Sequence, residues 1–167
     1  TGITLNSYGT NTLSGNNPFS GNITVTDGAL RLKHSNALGS GAKSITAANN
    51  INGRNPSIVL DGSDGDLTIP ATVTFVTSQS RAGAVLNEAG NNTILGNFTL
   101  TSGDGATHIW SKAGKLTLAG RLTPNTDSRQ LYLRGDGEGE ISGVITNGGT
   151  TAGLPLYRDV GSGTWTL

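Results

Sequence analysis

The sequence predicts an all-β chain wound as a solenoid of about seven coils. Three observations carry that expectation. Short runs of alternating apolar and polar residues recur from end to end, turn residues separate them at close intervals, and motifs repeat within the chain. A 167-residue chain with 26 Gly, no Cys, no Met and only 13% charged residues lacks the bulky side chains that fill an ordinary globular interior of this size. Its interior must be thin. A stack of narrow coils meets that condition, because each coil needs only a few inward Leu, Ile or Val.

Taken in order, the expected strands are Ile3 to Leu5, Ile23 to Val25, Leu30 to Leu32, Ile58 to Leu60, Leu67 to Ile69 and Val73 to Val76. The second half continues with Ala84 to Leu86, Thr93 to Leu95, Phe98 to Leu100, Ile109 to Trp110, Leu116 to Leu118, Leu131 to Leu133, Ile141 to Ile145 and Thr164 to Leu167. The nearest candidate for a helix, Ser78 to Ala89, is interrupted by Gly83 and shows no sustained helical period. Asn52-Gly53, Asp61-Gly62, Asp104-Gly105 and Asn147-Gly148 would suit hairpins of an antiparallel sandwich. Very short strands, corner motifs and internal similarity favour the solenoid instead. At roughly 20 to 25 residues per coil and about 4.8 Å per rung, the stack would stand about 33 Å tall.

The richest segment is TLSGNNPFSGNITVTDGALRLKHSNALG, Thr12 to Gly39. Gly15, Asn16 and Asn17 suit a tight turn, and Pro18 biases Asn17 away from helix. Ile23 and Val25 then alternate with Thr24 and Thr26, and a second alternation follows Asp27-Gly28. This segment resembles the passenger-associated repeat of autotransporter proteins, whose usual form is a TLSG turn, an aromatic corner, a TVxxGTL strand pair and an NALG ending. It departs from that form at Pro18-Phe19-Ser20, where the family has Thr-Tyr-Thr. The resemblance implies a right-handed parallel β-helix displayed outside the cell on a Gram-negative envelope. GEISGVITNGG, Gly139 to Gly149, is similar to the ISGVI segment that precedes such repeats. GTNTL at Gly9 to Leu13 and GTWTL at Gly163 to Leu167 read as equivalent positions, so residues 1–167 are expected to be one module of a longer tandem array, with 12–39 as its repeat motif.

Eleven basic and eleven acidic residues cancel and are scattered along the chain. That distribution gives no footprint for nucleic acid or for an anionic membrane surface. No apolar run approaches the length of a membrane span, so no membrane insertion by this segment is expected.

Candidate chemistry is sparse. In LDGSDGD, Leu60 to Asp66, the carboxylates of Asp61, Asp64 and Asp66 could gather around calcium, but the loop lacks the glutamate of an EF-hand and the GGxGxD pattern of calcium-loaded β-rolls. Solvated Asp-Gly turns are the reading preferred over metal. Asp136, Glu138 and Glu140 in DGEGE make a similar, weaker case. Lyases and glycosidases built on β-helices need paired carboxylates or a base beside a metal. Glu88, Asp127 and Asp159 are the acids outside Asp-Gly corners without an identifiable partner. His34 and His108 are the only imidazoles, and neither pairs with a Cys or a second His. Trp110, Trp165, Tyr132 and Tyr157 would form a sugar-stacking row if they projected outward on neighbouring coils, although inward packing is the simpler role. NIT at Asn22, NNT at Asn91 and NFT at Asn97 fit the N-glycosylation sequon.

The expectation is therefore a non-enzymatic extracellular module, with no catalytic residues and no resident cofactor, serving as stalk, fibre or adhesive scaffold. Its partners would be adjacent modules or copies of itself, head to tail, together with glycans or other cell-surface proteins. A carbohydrate-active β-helix or a glycan-binding module is the alternative. A cleft joining Glu88, Asp127 or Asp159 to an Arg or Lys would favour activity, and an outward aromatic row would favour binding.

Overall fold

A computed structural model describes residues 2–47, 55–78, 82–101, 106–126, 129–148, 151 and 153–167. Strand β1 (Ile3–Leu13) bends across a corner and is followed by a turn segment, residues 14–22; β2 (Ile23–Leu32) and residues 33–42 repeat that path directly above it. The next lap carries three strands, β3 (Lys43–Ala47), β4 (Ser57–Asp61) and β5 (Thr68–Ile69). Three laps of the same design follow: β6 (Val73–Thr77), β7 (Val85–Ala89) and β8 (Asn91–Ile94); β9 (Phe98–Leu100), β10 (Ala106–Ser111) and β11 (Lys115–Leu118); β12 (Leu122–Pro124), β13 (Gln130–Arg134) and β14 (Glu138–Ile141). A last pass consists of a bridge at Ile145, β15 (Leu156–Arg158) and β16 (Trp165–Thr166).

Every strand pairing is parallel, and each joins one lap to the next. Strands one lap apart therefore line up into three faces. The first runs through β3, β6, β9 and β12, the second through β4, β7, β10, β13 and β15, and the third through β5, β8, β11, β14 and β16. The long β2 belongs to two of them, pairing with β3 through its first half and with β4 through its second. The molecule is an all-β parallel β-solenoid of about six turns. That is slightly fewer than the sequence spacing suggests, because lap length is uneven. Partners lie 20 residues apart at Ile3/Ile23 and 30 apart at Lys43/Val73, and settle to between 23 (Phe75/Phe98) and 26 (Gly139/Trp165) from β6 onward.

Parallel stacking sets like above like. On the first face Ile3, Ile23, Ile45, Phe75, Phe98 and Leu122 follow one another, and the two phenylalanine rings stack 4.8 Å apart at 17°. On the second, Leu30, Ile58, Val85, Ile109 and Leu133 are in register; on the third, Ile69, Ile94, Leu118 and Ile141. These columns meet along the axis as one continuous hydrophobic core. Outward positions of the first face form a row of threonines interrupted once by a valine, Thr4, Thr24, Thr46, Val76, Thr99 and Thr123. Such β-branched side chains suit a half-solvated parallel strand.

Corners are made where a side chain would collide with the lap below. A Cβ on Gly120 would overlap the Gly96 carbonyl oxygen, and one on Gly143 would overlap that of Gly120. This column of glycine at one-lap spacing lets backbone pass directly over backbone. Elsewhere the corners use buried polar side chains. Asn92 Nδ2 donates to Asn87 Oδ1 (2.6 Å) and to the Ala89 carbonyl (2.7 Å), while Asn92 Oδ1 accepts from Leu67 N (2.7 Å). Lys43 points inward beneath the ring of Phe19 and donates to the carbonyls of Phe19 and Leu38. Burial pushes its pKa below the ordinary lysine value.

Ser14 to Asn17 in the first lap and the NALG segment in the second lie outside the strands, whereas Thr12 and Leu13 of TLSG end β1. They are stacked: Asn17 N donates to the Asn36 carbonyl (3.2 Å) and Asn17 Nδ2 to the Ala37 carbonyl (2.7 Å). Gly39, at φ +77°, lies where a Cβ would overlap the Phe19 carbonyl. The expected strand pair at Ile23 to Val25 and Leu30 to Leu32 is the two halves of one bent strand. Strands β3, β12 and β15 were not expected, and the segment weighed as a helix supplies β7. One equivalence is corrected. GTNTL ends β1 and pairs with β2 on the second face, whereas GTWTL forms β16 on the third, so the two do not occupy matching positions and lend no support to a tandem register. Asn52-Gly53 and Asp104-Gly105 lie outside the described residues. Among the described residues, no helix is long and apolar enough to cross a membrane.

Truncating Phe98 to Ala should remove a ring stacked in the middle of the column and cost about 3–5 kcal/mol. Gly120→Ala should destabilise as well, through backbone overlap with Gly96. Urea unfolding followed by circular dichroism checks both, and a midpoint left unchanged by either would contradict the lap register.

Candidate functional site

The acidic loop after β4 is organised around a lysine. Lys33 Nζ, one lap below, sits 2.7 Å from Asp64 Oδ2 and 3.9 Å from Asp61 Oδ2. Asp61 Oδ1 also accepts from Ser63 N (3.2 Å), and the Ser63 side chain, with this backbone contact second to it, holds the Asp61 carboxyl below the usual aspartate range. Asp66 instead turns to the next lap and accepts from Asn91 N (2.7 Å). Among the described residues no three His, Cys, Asp or Glu side chains converge on one point. In DGEGE, Asp136 accepts from Ser162 N (2.8 Å) and Ser162 Oγ (3.1 Å), and Glu140 pairs with Lys115 (2.5 Å).

Two of the three unassigned acids lie on the outer side of the second face. Arg31 and Glu88 form an ion pair at 2.6 Å that spans an intervening lap, beside an open hollow of about 280 Å³ lined in part by Tyr8, Val59 and Leu86. Val59 and Leu86 are outward by alternation yet nearly buried. Further along the same face Asp159 pairs with Arg134. Asp127 lies outside the described residues. Both carboxylates thus stand beside an arginine, each as one carboxylate paired with one guanidinium.

The same face concentrates the aromatic residues. His108, Tyr132 and Tyr157 occupy one outward column on three successive laps, with ring centroids 4.9 and 4.7 Å apart and interplanar angles of 24° and 20°. Next to them, the Arg134 guanidinium lies 5.4 Å from the Trp110 ring and 5.4 Å from the Tyr132 ring. Arg129, at the start of the β13 lap, is buried, and burial lowers its pKa. The indole N–H of Trp110 and the Nε–H of Arg134 are enclosed without an acceptor among the described residues. Trp165 is different: it packs inward against the core above Gly139, with its indole N–H near the Arg134 carbonyl (3.4 Å).

Of the four aromatics singled out in the sequence, three therefore form one outward patch and the fourth is structural. The rings stack on one another, so mostly their edges and hydroxyls face outward rather than a flat platform. Arg134 and His108 were not expected as neighbours of these rings. The signal was present: His108 and Tyr132 are 24 residues apart and Tyr132 and Tyr157 are 25 apart, one lap each. The remaining imidazole, His34, accepts from Asn36 N through Nδ1 (3.0 Å) within the NALG turn. The sequon residues Asn22, Asn91 and Asn97 are all exposed.

Fold and outer face together define a parallel β-solenoid with a localised patch of aromatic rings around the Arg134–Asp159 pair. No family model, curated protein or solved structure matches this chain.

Hydrogen bonds from Ser162 hold the Asp136 carboxyl below its ordinary pKa. A carboxyl depressed on folding adds stability above its unfolded pKa, near 4, and loses it as pH falls through the folded value. Protection of the amides at residues 160–163, taken relative to the intrinsic exchange rate at each pH, should therefore fall below about pH 4, and Asp136→Ala should remove that fall. Protection there that stays unchanged from pH 6 to about pH 3 would contradict the assignment.

Proposed function

We propose that this chain is a structural module of an exported bacterial surface protein of the autotransporter type, working as a stalk, fibre segment or adhesive scaffold rather than as an enzyme. The observation that supports this reading most is the unbroken parallel stacking of lap on lap, which gives a narrow body whose hydrogen bonds run along its length. Load applied along the axis is then shared among several backbone ladders at once. An exterior of Thr, Ser, Asn and Gly corners keeps such a body hydrated. The stacking of the segment at 14–17 on the NALG turn agrees with the family resemblance, which supplies the expectation of a Gram-negative outer-membrane setting. Head-to-tail contact with adjacent modules or further copies is the natural mode of extension, because parallel edges accept another lap.

An adhesive role is favoured over a bare spacer by the aromatic and arginine patch on the second face. Trp, Tyr and Arg are the side chains that dominate binding energy at protein surfaces, and here they gather on neighbouring laps.

Negative-stain imaging of the intact exported protein should show thin rods or filaments. Compact, uniform particles would overturn the scaffold reading. Incubation with a panel of polysaccharides, followed by reducing-end detection, should show no turnover; turnover abolished by Glu88→Gln or Asp159→Asn would establish an enzyme instead.

A further inference from the structure

We propose that a second copy of this chain stacks head to tail on the first, its β1 lap laid on the β15 and β16 pass in the register the solenoid already uses. The inference rests on the scaffold reading for its setting and deepens it by naming the partner and the contact. Edge strands are ordinarily guarded against further pairing by charged side chains, by proline or by shortness. β1 has none of these guards. It is 11 residues long without a proline, and none of residues 1–26 is Asp, Glu, Lys, Arg or His. Its inward side chains Ile3, Leu5 and Leu13, with Phe19 beyond them, are only partly buried against the core.

The last pass carries the complementary surface. Of the seven large hydrophobic residues exposed among the described residues, five lie there: Val144, Ile145, Tyr157, Val160 and Leu167. Apolar exposure gathered in one place marks an interaction surface. Carrying the register on by one lap sets Ile3 of the second copy over Ile145, so the column that begins at Ile3 runs on unbroken. Leu167 follows Trp165 as Ile141 follows Gly139, at the end of the third face. At the corresponding corner of the first lap, Ile3, Pro18 and Phe19 line an open hollow of about 360 Å³, and Leu167 of the copy below is the side chain that fills it.

One polar pair sets the register. The aliphatic column Leu30, Ile58, Val85, Ile109 and Leu133 has Asn11 at one end and Arg158 at the other. Stacking brings Asn11 of the second copy over Arg158. A guanidinium goes under another layer only if its donors are met. They are met here: Arg158 donates to the carbonyls of Leu133 and Gly135 in the lap below and of Val160, Gly161 and Gly163 in its own. A lap slipped by two residues would set Leu13 over the guanidinium instead, and a single polar position of this kind selects one register. The contact is heterologous, so each added copy offers the same two surfaces again and the assembly grows as an open filament.

The test is sedimentation velocity of the purified chain over a range of concentrations. Mass should rise with concentration as an open series. Ile3→Glu blocks one surface and Leu167→Glu the other; each variant alone should stay monomeric, and the two mixed should form a one-to-one dimer that grows no further, a recovery that misfolded variants could not give. Thr146→Cys on the first variant and Thr4→Cys on the second should then cross-link under mild oxidation, whereas Tyr157→Cys with Thr4→Cys should not. Asn11→Asp should strengthen association several-fold, and Asn11→Lys should weaken it roughly tenfold or more by setting like charge over Arg158. A chain that stays monomeric throughout, association that survives in either blocked variant alone, or cross-linking in another register would overturn the proposal. An intact exported protein that images as rods while this chain stays monomeric refutes this inference and leaves the scaffold reading in place.

Discussion

Everything in this molecule depends on one constraint: each backbone segment must hydrogen-bond to the segment one lap above and one lap below it, in parallel. That constraint fixes what every position tolerates. An inward side chain meets a copy of its own position at the rung spacing of about 4.8 Å, so aliphatic residues stack on aliphatic residues and the two buried phenylalanines on each other. Where backbone crosses directly over backbone there is no room for a Cβ, and Gly96, Gly120 and Gly143 mark the crossing. Where a polar group must turn inward, it finds backbone partners, as Asn87, Asn92 and Lys43 do. A core this narrow needs few large residues, which is why a chain only 34% hydrophobic closes on itself.

The same repetition shapes the exterior. Because outward positions also stack lap on lap, any useful side chain placed once per lap becomes a column. Thr supplies a neutral column on the first face. Aromatic residues supply a second kind on the last laps of the second face, where His108, Tyr132 and Tyr157 lie ring over ring. Ion pairs link one lap to another in the same way, Arg134 reaching Asp159 and Lys115 reaching Glu140. A surface patch in a solenoid is thus written as a periodic phrase in the sequence, with its members far apart along the chain.

That property explains what could and could not be read beforehand. Alternation at Ile58 to Leu60, Val73 to Val76 and Phe98 to Leu100 announced strands plainly, since turn residues bound them tightly. β12 was harder, being only three residues with a proline at its end, and β3 hides its phase because Lys43 fills an inward position. The GTNTL and GTWTL match misled because strands on different faces obey the same local pattern. Only the pairing partner tells the faces apart, and pairing is a long-range property. The outward patch escaped for a related reason: its arginines have no local signature, and only alignment at the lap period brings Arg134 beside Trp110.

The most direct test of the parallel stack is a ladder of spin-label distances along the outward column of the third face, Thr68, Thr93, Thr117, Glu140 and Thr166, which pair in register lap by lap. The absence of native cysteine makes paired cysteine labelling straightforward. Labels on Thr68 paired in turn with labels at the other four positions should move apart by about 4.8 Å per lap, reaching roughly 19 Å at Thr166. Distances that rise and fall with sequence separation, or a Thr68–Thr166 pair closer than Thr68–Thr117, would contradict the solenoid.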